Sequence, residues 1–109
     1  MSANALSLRI AAAAADLAAG RTSSRALTES CLDHIDDPAG EGRATFTRVY
    51  RDAALAAADA SDRLRTLGIV PSPLAGIPVS IKDLFDVAGE TTLAGSIALR
   101  AEPPASRDA

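Results

Sequence analysis

Apolar residues recur every three or four positions through the first two thirds of the chain, which is the spacing of amphipathic helices. One face of the first such segment carries Leu6, Ile10, Ala13 or Ala14 and Leu17. Gly20 follows this segment, at the place where a glycine in the left-handed conformation commonly ends a helix. The pattern therefore predicts a first helix that ends near Gly20.

A second helix is predicted from a group of hydroxyl side chains, Thr22 to Ser24, that can cap its N-terminus. Its apolar stripe consists of Leu27, Cys31, His34 and Ile35, and residues 36–38, Asp-Asp-Pro, end it. Cys31 lies on this stripe without a neighbouring base, so we interpret it as a core thiol rather than a nucleophile. His34 lies in the last turn, where it interacts favourably with the helix dipole.

A third helix is predicted from about Arg51 to Leu67, with Gly68 as its stop. Residues 40–43 before it are expected to form a polar loop, followed by a short extended piece anchored by Phe46 and Val49. The stripe expected to be buried is Ala53, Ala57, Ala60, Leu64 and Leu67. Asp59 and Asp62 fall on the charged face, so we expect both carboxylates to be solvated.

The pattern changes from period 3.6 to period two after the Pro71-Ser72-Pro73 connection. Ile77, Val79 and Ile81 alternate with Pro78, Ser80 and Lys82, which predicts a β-strand with Pro78 at its start. A second extended stretch is expected at 85–88, turned by Gly89 and Glu90. One or two strands cannot supply hydrogen-bond partners for all of their own backbone N–H and C=O groups. We therefore expect these strands to belong to a larger sheet.

The composition narrows the class of protein. The 109 residues carry a formal charge of −3, which argues against nucleic-acid binding. Leu, Ile, Val and Phe supply only 24 residues, a small core for an independent domain. Cys31 and His34 are the only cysteine and the only histidine, which excludes an intramolecular disulfide and a thiolate or histidine metal cluster. No apolar run is long enough for a bilayer and the start lacks a signal peptide's basic residues, so we expect a cytoplasmic protein without membrane contact.

Lys82 is the only lysine; the other ten cations are arginines. An amine can lose its proton, whereas a guanidinium effectively cannot, so a desolvated Lys82 is a candidate general base, proton relay or Schiff-base nucleophile. The structural alternative is a lysine that reaches into water at a strand end, its charge tempered by Asp83. Spacing alone does not decide between these interpretations.

Residues 74–96 read LAGIPVSIKDLFDVAGETTLAGS, and this run closely resembles the opening of the catalytic core in the amidase signature family. The family pattern is G-I-P-V-x-I-K-D, then D-V-A-G and a T-T-A-G-S-like turn; here Leu93 stands where the family usually has threonine. A lysine inside this octapeptide, followed by the second run, is a specific match. The D-V-A-G version is closer to a general amidase than to the tRNA-dependent amidotransferase subunit.

The resemblance implies an α/β fold with a mixed sheet and hydrolysis of amide C–N bonds by a Ser, cis-Ser, Lys triad, without cofactor or metal. Lys82 would be the triad lysine, and Ser80, Asp83 and Ser96 are supporting candidates. Neither Ser80 nor Ser96 occupies the family's serine positions, because the Gly/Ser-rich run that supplies both serines and the oxyanion donors is not in this sequence. The expected partner is a small-molecule amide substrate.

On this basis residues 1–109 are expected to be the N-terminal part of a single amidase domain, with about three helices before the first strands. Residues 1–68 would be its helical region, 69–73 the proline-containing connection and 74–109 the start of the catalytic core. By itself this polypeptide is expected to be inactive. One competing hypothesis is a non-enzymatic module whose alanine-rich helices form an interaction surface, or the remnant of a truncated gene. Another is that Lys82 forms a Schiff base with a carbonyl ligand.

Overall fold

The computed structural model describes residues 9–109, which form four α-helices and one short 3-10 helix. The helices are α1 (Ile10–Ala18), α2 (Ser24–Asp36), α3 (Gly42–Thr45) and α4 (Arg51–Thr66), and the 3-10 helix is Ile97–Leu99. The chain divides into two compact units. We call residues up to Pro78 the helical unit and residues from Val79 to Ala109 the lysine unit. None of the helices in the described part is long and apolar enough to cross a bilayer.

The first two predicted helices are confirmed as α1 and α2. Gly20 follows α1 with a φ of +73°, as expected for a left-handed cap. Ser23 caps α2, because its hydroxyl oxygen accepts a hydrogen bond of 3.0 Å from the Ala26 N–H. Helix α2 ends at Asp36, just before the predicted Asp-Pro stop. Leu6 lies outside the described residues.

A small apolar cluster holds α1 and α2 together. Leu17 is 1% exposed and packs with Ala13 and Leu27, and Ile77 lies against this cluster from the other end of the helical unit. Full burial of a leucine side chain stabilises a fold by about 1.5–3 kcal/mol, so Leu17 is the largest single apolar contribution here. Ile10, predicted on the same face, is 63% exposed, so that part of the prediction is wrong.

The bounds of α4 match the predicted third helix, but its buried face does not. The predicted stripe is exposed at all five positions: Ala53, Ala57, Ala60, Leu64 and Leu67. Helix α4 packs against α2, and its less exposed positions are Ala54, Leu55, Ala58, Ser61, Asp62 and Arg65. Asp62 is half-buried and hydrogen-bonded, so the prediction of a solvated carboxylate is wrong there; Asp59 is exposed as predicted. The buried face of α4 differs from the predicted one because its polar side chains, Asp62 and Arg65, make hydrogen bonds within the helical unit.

The one-turn helix α3 replaces part of the predicted polar loop. Its first residue, Gly42, lies so close to the backbone of Ile35 that a Cβ atom would overlap it. This close approach requires glycine and brings α3 against α2. Within the extended piece expected at Phe46 and Val49, Phe46 has extended backbone (φ −103°, ψ 118°), and the described structure contains no strand there.

The predicted strand at residues 77–81 is not present as a strand, and residues 9–109 contain no β-ladder at all. The amides of residues 79–82 donate to no backbone carbonyl within the described residues. A strand is defined by a hydrogen-bonded neighbour, and no segment of the described chain supplies one. The expected first strand of a mixed sheet is therefore not confirmed in the described residues, where only the helical part of the predicted α/β architecture is observed.

Candidate active site

Lys82 lies in the lysine unit, four residues after the Pro78 boundary, and its side chain is exposed. Its backbone carbonyl accepts a hydrogen bond of 3.2 Å from the Phe85 N–H, which closes a turn over residues 82–85. The amine is therefore carried at the entry of a turn rather than inside a strand. The desolvation that we expected for Lys82 is not supplied by the residues of this structure.

Two aspartates join the halves of the 74–96 run to each other. The Asp83 carboxylate, half-buried, accepts a hydrogen bond of 3.2 Å from the Leu93 N–H. The Asp86 carboxylate accepts one of 2.7 Å from the Thr92 hydroxyl. Hydrogen bonds to a charged acceptor are stronger than those between neutral groups. The hydrogen bond to Leu93 thus ties Asp83, the residue next to Lys82, to the T-T-L-A-G-S segment at residues 91–96.

Residues 93–96 form a tight turn in which a non-glycine residue, Ala94, has a positive φ. The Ser96 N–H donates to the Leu93 carbonyl at 2.8 Å, and the two central residues have positive φ, +50° at Ala94 and +75° at Gly95. Two positive φ values are typical of a type I′ turn. Left-handed backbone costs an L-residue such as alanine about 1–2 kcal/mol. Sequence reasoning did not single out Ala94, and nothing in its side chain signals the conformation.

The two serine candidates have different surroundings. The Ser96 hydroxyl oxygen accepts a hydrogen bond of 3.2 Å from the Ala98 N–H and so caps the 3-10 helix. Ser80 is exposed two residues before Lys82. No hydrogen bond described for residues 9–109 joins either hydroxyl to the Lys82 amine. Their geometry is that of a cap and a surface hydroxyl.

The end of the lysine unit is fastened to its first turns. The Gly89 N–H donates to Ala105 at 2.8 Å, and the Ala105 N–H donates to Glu90 at 2.9 Å. The Asp108 carboxylate accepts from the Ala88 N–H at 2.8 Å. Residues 105–109 are therefore hydrogen-bonded to the segment from Asp86 to Glu90, a connection that local sequence patterns did not predict.

Cys31 and His34 both lie on α2, in the helical unit. Cys31 is half-buried, and burial raises the pKa of its thiol, which disfavours the reactive thiolate. The His34 Nδ1 lies 3.2 Å from the Ser30 carbonyl oxygen of its own helix. Among residues 9–109, no three His, Cys, Asp or Glu side chains are grouped as metal ligands.

Comparison with known proteins identifies the class of this chain. A model of the protein family described as Amidase matches residues 26–109, which include most of α2, all of α3 and α4, and the whole lysine unit. The chain therefore belongs to the amidase family.

Individual relatives agree with this assignment. The chain is 47% identical over 93 residues to AtzE, the 1-carboxybiuret hydrolase subunit of Pseudomonas sp. (strain ADP), a match that covers 85% of this chain and 20% of the relative. It is 45% identical over 89 residues to a subunit of the glutamyl-tRNA(Gln) amidotransferase of Chloroflexus aggregans, covering 82% of this chain and 18% of that one. The chain spans about a fifth of the length of these curated relatives.

A solved structure has the same fold over this segment. It belongs to work described as "An unexpected vestigial protein complex reveals the evolutionary origins of an s-triazine catabolic enzyme". The TM-score is 0.81 at 43% identity, with 94% of this chain and 22% of that chain covered. The helical arrangement described above is therefore the fold of an amidase-family segment.

Proposed function

We propose that this chain supplies the lysine of an amide C–N hydrolase, with Lys82 as the triad lysine. The observation that carries the proposal is the position of the chain's only lysine, inside the G-I-P-V-S-I-K-D run that lies within the family match. The names of the relatives support the class of reaction, since one belongs to a hydrolase and another to an amidotransferase. The expected substrate is a small-molecule amide.

In the proposed mechanism Lys82 moves a proton and makes no bond to the substrate. The neutral amine accepts the proton of a bridging serine, which accepts that of the nucleophilic serine as its oxygen attacks the amide carbonyl. When the C–N bond breaks, the bridging serine donates one proton to the departing amine and regains one from Lys82, and water then hydrolyses the acyl-enzyme. Backbone N–H groups stabilise the oxyanion. Both serines belong to the Gly/Ser-rich run that is not in this sequence, so residues 1–109 by themselves are expected to be inactive.

Asp83 and Asp86 are proposed as positioning residues, because their carboxylates hold Leu93 and Thr92 beside the turn that follows Lys82. Ser96 is proposed to support the site through its cap on the 3-10 helix. Ser80 remains a candidate for contact with the completed site, since it is exposed near Lys82.

The desolvation of Lys82 is proposed to come from a neighbouring strand. Within the described residues, the N–H groups of residues 79–82 donate to no backbone carbonyl. Val79 and Ile81 are 80% and 63% exposed. A strand of the proposed mixed sheet would satisfy these amides and cover the apolar side chains. We place this enzyme in the cytoplasm, without cofactor or metal.

The test is a chimera in which residues 1–109 replace the matching segment of the Pseudomonas 1-carboxybiuret hydrolase subunit. Lys82→Ala and Lys82→Arg are compared with the parent chimera for ammonia release from 1-carboxybiuret. Arginine keeps the positive charge but cannot accept a proton. Both variants are expected to lower kcat by about 10³-fold or more, because removal of one member of a concerted triad removes most of the rate.

Arg100→Ala is the matched control, since Arg100 is another exposed cation of the lysine unit. It is expected to leave kcat within about twofold of the parent, as an exposed cation outside the proposed triad does. Equal activity of the Lys82→Ala and parent chimeras would remove Lys82 from the mechanism and favour the non-enzymatic alternative.

A further inference from the structure

Three consecutive residues at the start of the segment that leads to Lys82, residues 75–77, are held in place within the helical unit. The Ser24 hydroxyl, on the first turn of α2, donates a hydrogen bond of 2.6 Å to the Gly76 carbonyl. Arg65 Nη2, on α4, donates one of 3.1 Å to the Ala75 carbonyl. Ile77 packs against the cluster of Ala13, Leu17 and Leu27. Residues 75–77 are thus held by three separate helices, and we call this arrangement the latch.

Asp62 fixes the part of α2 that holds Gly76. Its two carboxylate oxygens accept from the Ser24 N–H at 2.7 Å and from the Arg25 N–H at 3.0 Å. The first N–H groups of a helix have no partner within the helix and carry partial positive charge, so a carboxylate there is bound tightly. Asp62 therefore caps α2 from a different helix and orients Ser24 toward Gly76.

Gly76 fits the latch only as glycine. Its φ is +89°, and an added Cβ would lie 3.1 Å from Ser61 Oγ and 3.3 Å from Ser24 Cβ. Ser24 is 3% exposed, so its hydroxyl has no room to move to water. The close approach and the hydrogen bond together define where this backbone segment lies within the helical unit.

We propose that Ser24 and Asp62 are positioning residues for Lys82. The inference rests on the proposed function of Lys82 and adds that the helical unit acts on the site by fixing the start of the segment that carries the lysine. Lys82 follows Ile77 by five residues. Five extended residues span at most about 17 Å, so a fixed residue 77 restricts the volume that the amine can reach. If residues 75–77 were released from the latch, the segment that carries Lys82 would move, and with it the amine would move away from the bridging serine.

Polar contacts suit this task better than apolar ones. An apolar contact is non-directional and tolerates sliding, whereas a hydrogen bond with a buried partner fixes one geometry. The inward face of α4 carries Ser61, Asp62 and Arg65 where an amphipathic helix would carry apolar residues. Arg65 binds the Ala75 carbonyl and Asp62 binds the Ser24 and Arg25 N–H groups. Ser61 Oγ lies 3.1 Å from the place that a Cβ on Gly76 would take.

The first experiment measures the latch in the 109-residue chain by amide hydrogen exchange. Ser24→Ala is expected to increase the exchange rate of the Ile77 amide about tenfold, while amides in the middle of α4 keep their rates. Ser23→Ala is the matched control: it removes a hydroxyl one residue earlier that caps α2 and does not bind Gly76. Asp62→Asn is the second variant, which keeps the side-chain size but removes the charge. Equal effects of the two serine variants at Ile77, or no effect of Asp62→Asn there, would overturn the proposal.

The second experiment measures positioning in the chimera described above. Asp62→Asn and Ser24→Ala are expected to lower kcat about 10- to 100-fold with KM within twofold, because a small displacement of a catalytic group lowers the rate of the chemical step. They are also expected to displace the acid limb of the kcat–pH profile, which simple loss of folded enzyme would not do. A normal profile with full kcat in both variants, beside an inactive Lys82→Ala chimera, would reject the latch and keep the proposed function. An active Lys82→Ala chimera would reject the function, while the exchange data would still decide whether Ser24 and Asp62 hold residues 75–77.

Discussion

The helical unit and the lysine unit differ in how their backbone groups are hydrogen-bonded and in how far their apolar side chains are buried. In the helical unit, α-helices bond their own backbone groups and Leu17, Leu27 and Leu32 are buried. In the lysine unit, Asp83 accepts a hydrogen bond from the Leu93 N–H and Asp86 accepts one from the Thr92 hydroxyl, while Val79 and Ile97 are 80% and 74% exposed. One unit has a core, whereas the other is a set of turns linked by polar contacts.

This difference shows how far local patterns determine a structure. A helix needs only residues three and four positions away, so α1, α2 and α4 form where their spacing and caps predict. A strand needs a second strand, which the alternation at 77–81 cannot supply. The contrast can be tested by substitutions that affect one unit or the other.

The largest effect is expected from Leu17→Ala in the helical unit. Loss of a leucine that is 1% exposed is expected to lower the free energy of unfolding by about 2–5 kcal/mol, through lost burial and the cavity left behind. Leu67→Ala is the control, since Leu67 is 68% exposed and its truncation is expected to cost less than about 0.5 kcal/mol. Urea unfolding measures both, and similar losses would contradict the core described here.

Gly76→Ala is expected to have the next largest effect. The added methyl group meets Ser61 and Ser24 and the backbone has positive φ, so we expect a loss of about 2–3 kcal/mol in the free energy of unfolding. Gly68→Ala has a similar φ, +76°, in open space, and isolates the backbone strain at about 1 kcal/mol. If the two variants lose equal stability by urea unfolding, the close approach at Gly76 is not real.

In the lysine unit, Ala94→Gly is expected to be stabilising. Glycine removes the strain of a φ of +50° but adds entropy to the unfolded chain, which leaves a gain of about 0.5–1 kcal/mol for the turn. The Ser96 amide, bonded across this turn, should exchange about two- to fivefold more slowly. Faster exchange in Ala94→Gly would show that Ala94 does not adopt the left-handed conformation.

The smallest effect concerns the Cys31 thiol. Burial raises its pKa, so less thiolate is present at a given pH and its reaction with a disulfide reagent at pH 8 should be several-fold slower than that of free cysteine. Denaturation in urea should remove the difference. Because the raised pKa keeps the thiol protonated to a higher pH in the folded chain than in the unfolded chain, the contribution of this thiol to stability is complete below its ordinary pKa and is lost as the pH rises through the raised folded pKa. A folded chain that reacts as fast as free cysteine would contradict the burial.

Much of the helical unit could be predicted from sequence because its signals are local. Ser23 at the start of α2 and the glycines after α1 and α4 lie where the patterns predict them. The buried face of α4 could not be predicted in this way, since the choice between faces depends on contacts with residues far along the chain. Asp62 is 38 residues from Ser24, and Gly76 is 52 residues from it.

The sequence predicts Lys82 as the candidate site residue, but it does not predict the contacts around it. The single lysine among arginines and its octapeptide point to Lys82 without any coordinates. The hydrogen bonds of Asp83 and Asp86 could not be read from the pattern, because they join residues 10 and 6 positions apart through a turn of irregular backbone. Its mixed sheet stays a proposal, since strand pairing is a property of two segments.

The latch is tested most directly by hydrogen exchange of the unsubstituted 109-residue chain, read at Ser24 and Arg25. First-turn amides of a helix normally exchange as fast as those of an open chain, because they have no helical acceptor. With the Asp62 carboxylate bound to both, they are expected to exchange at least tenfold more slowly, while amides 79–82 exchange freely. Open-chain rates at Ser24 and Arg25 would mean that Asp62 does not hold α2 and that the helical unit does not fix the segment leading to Lys82.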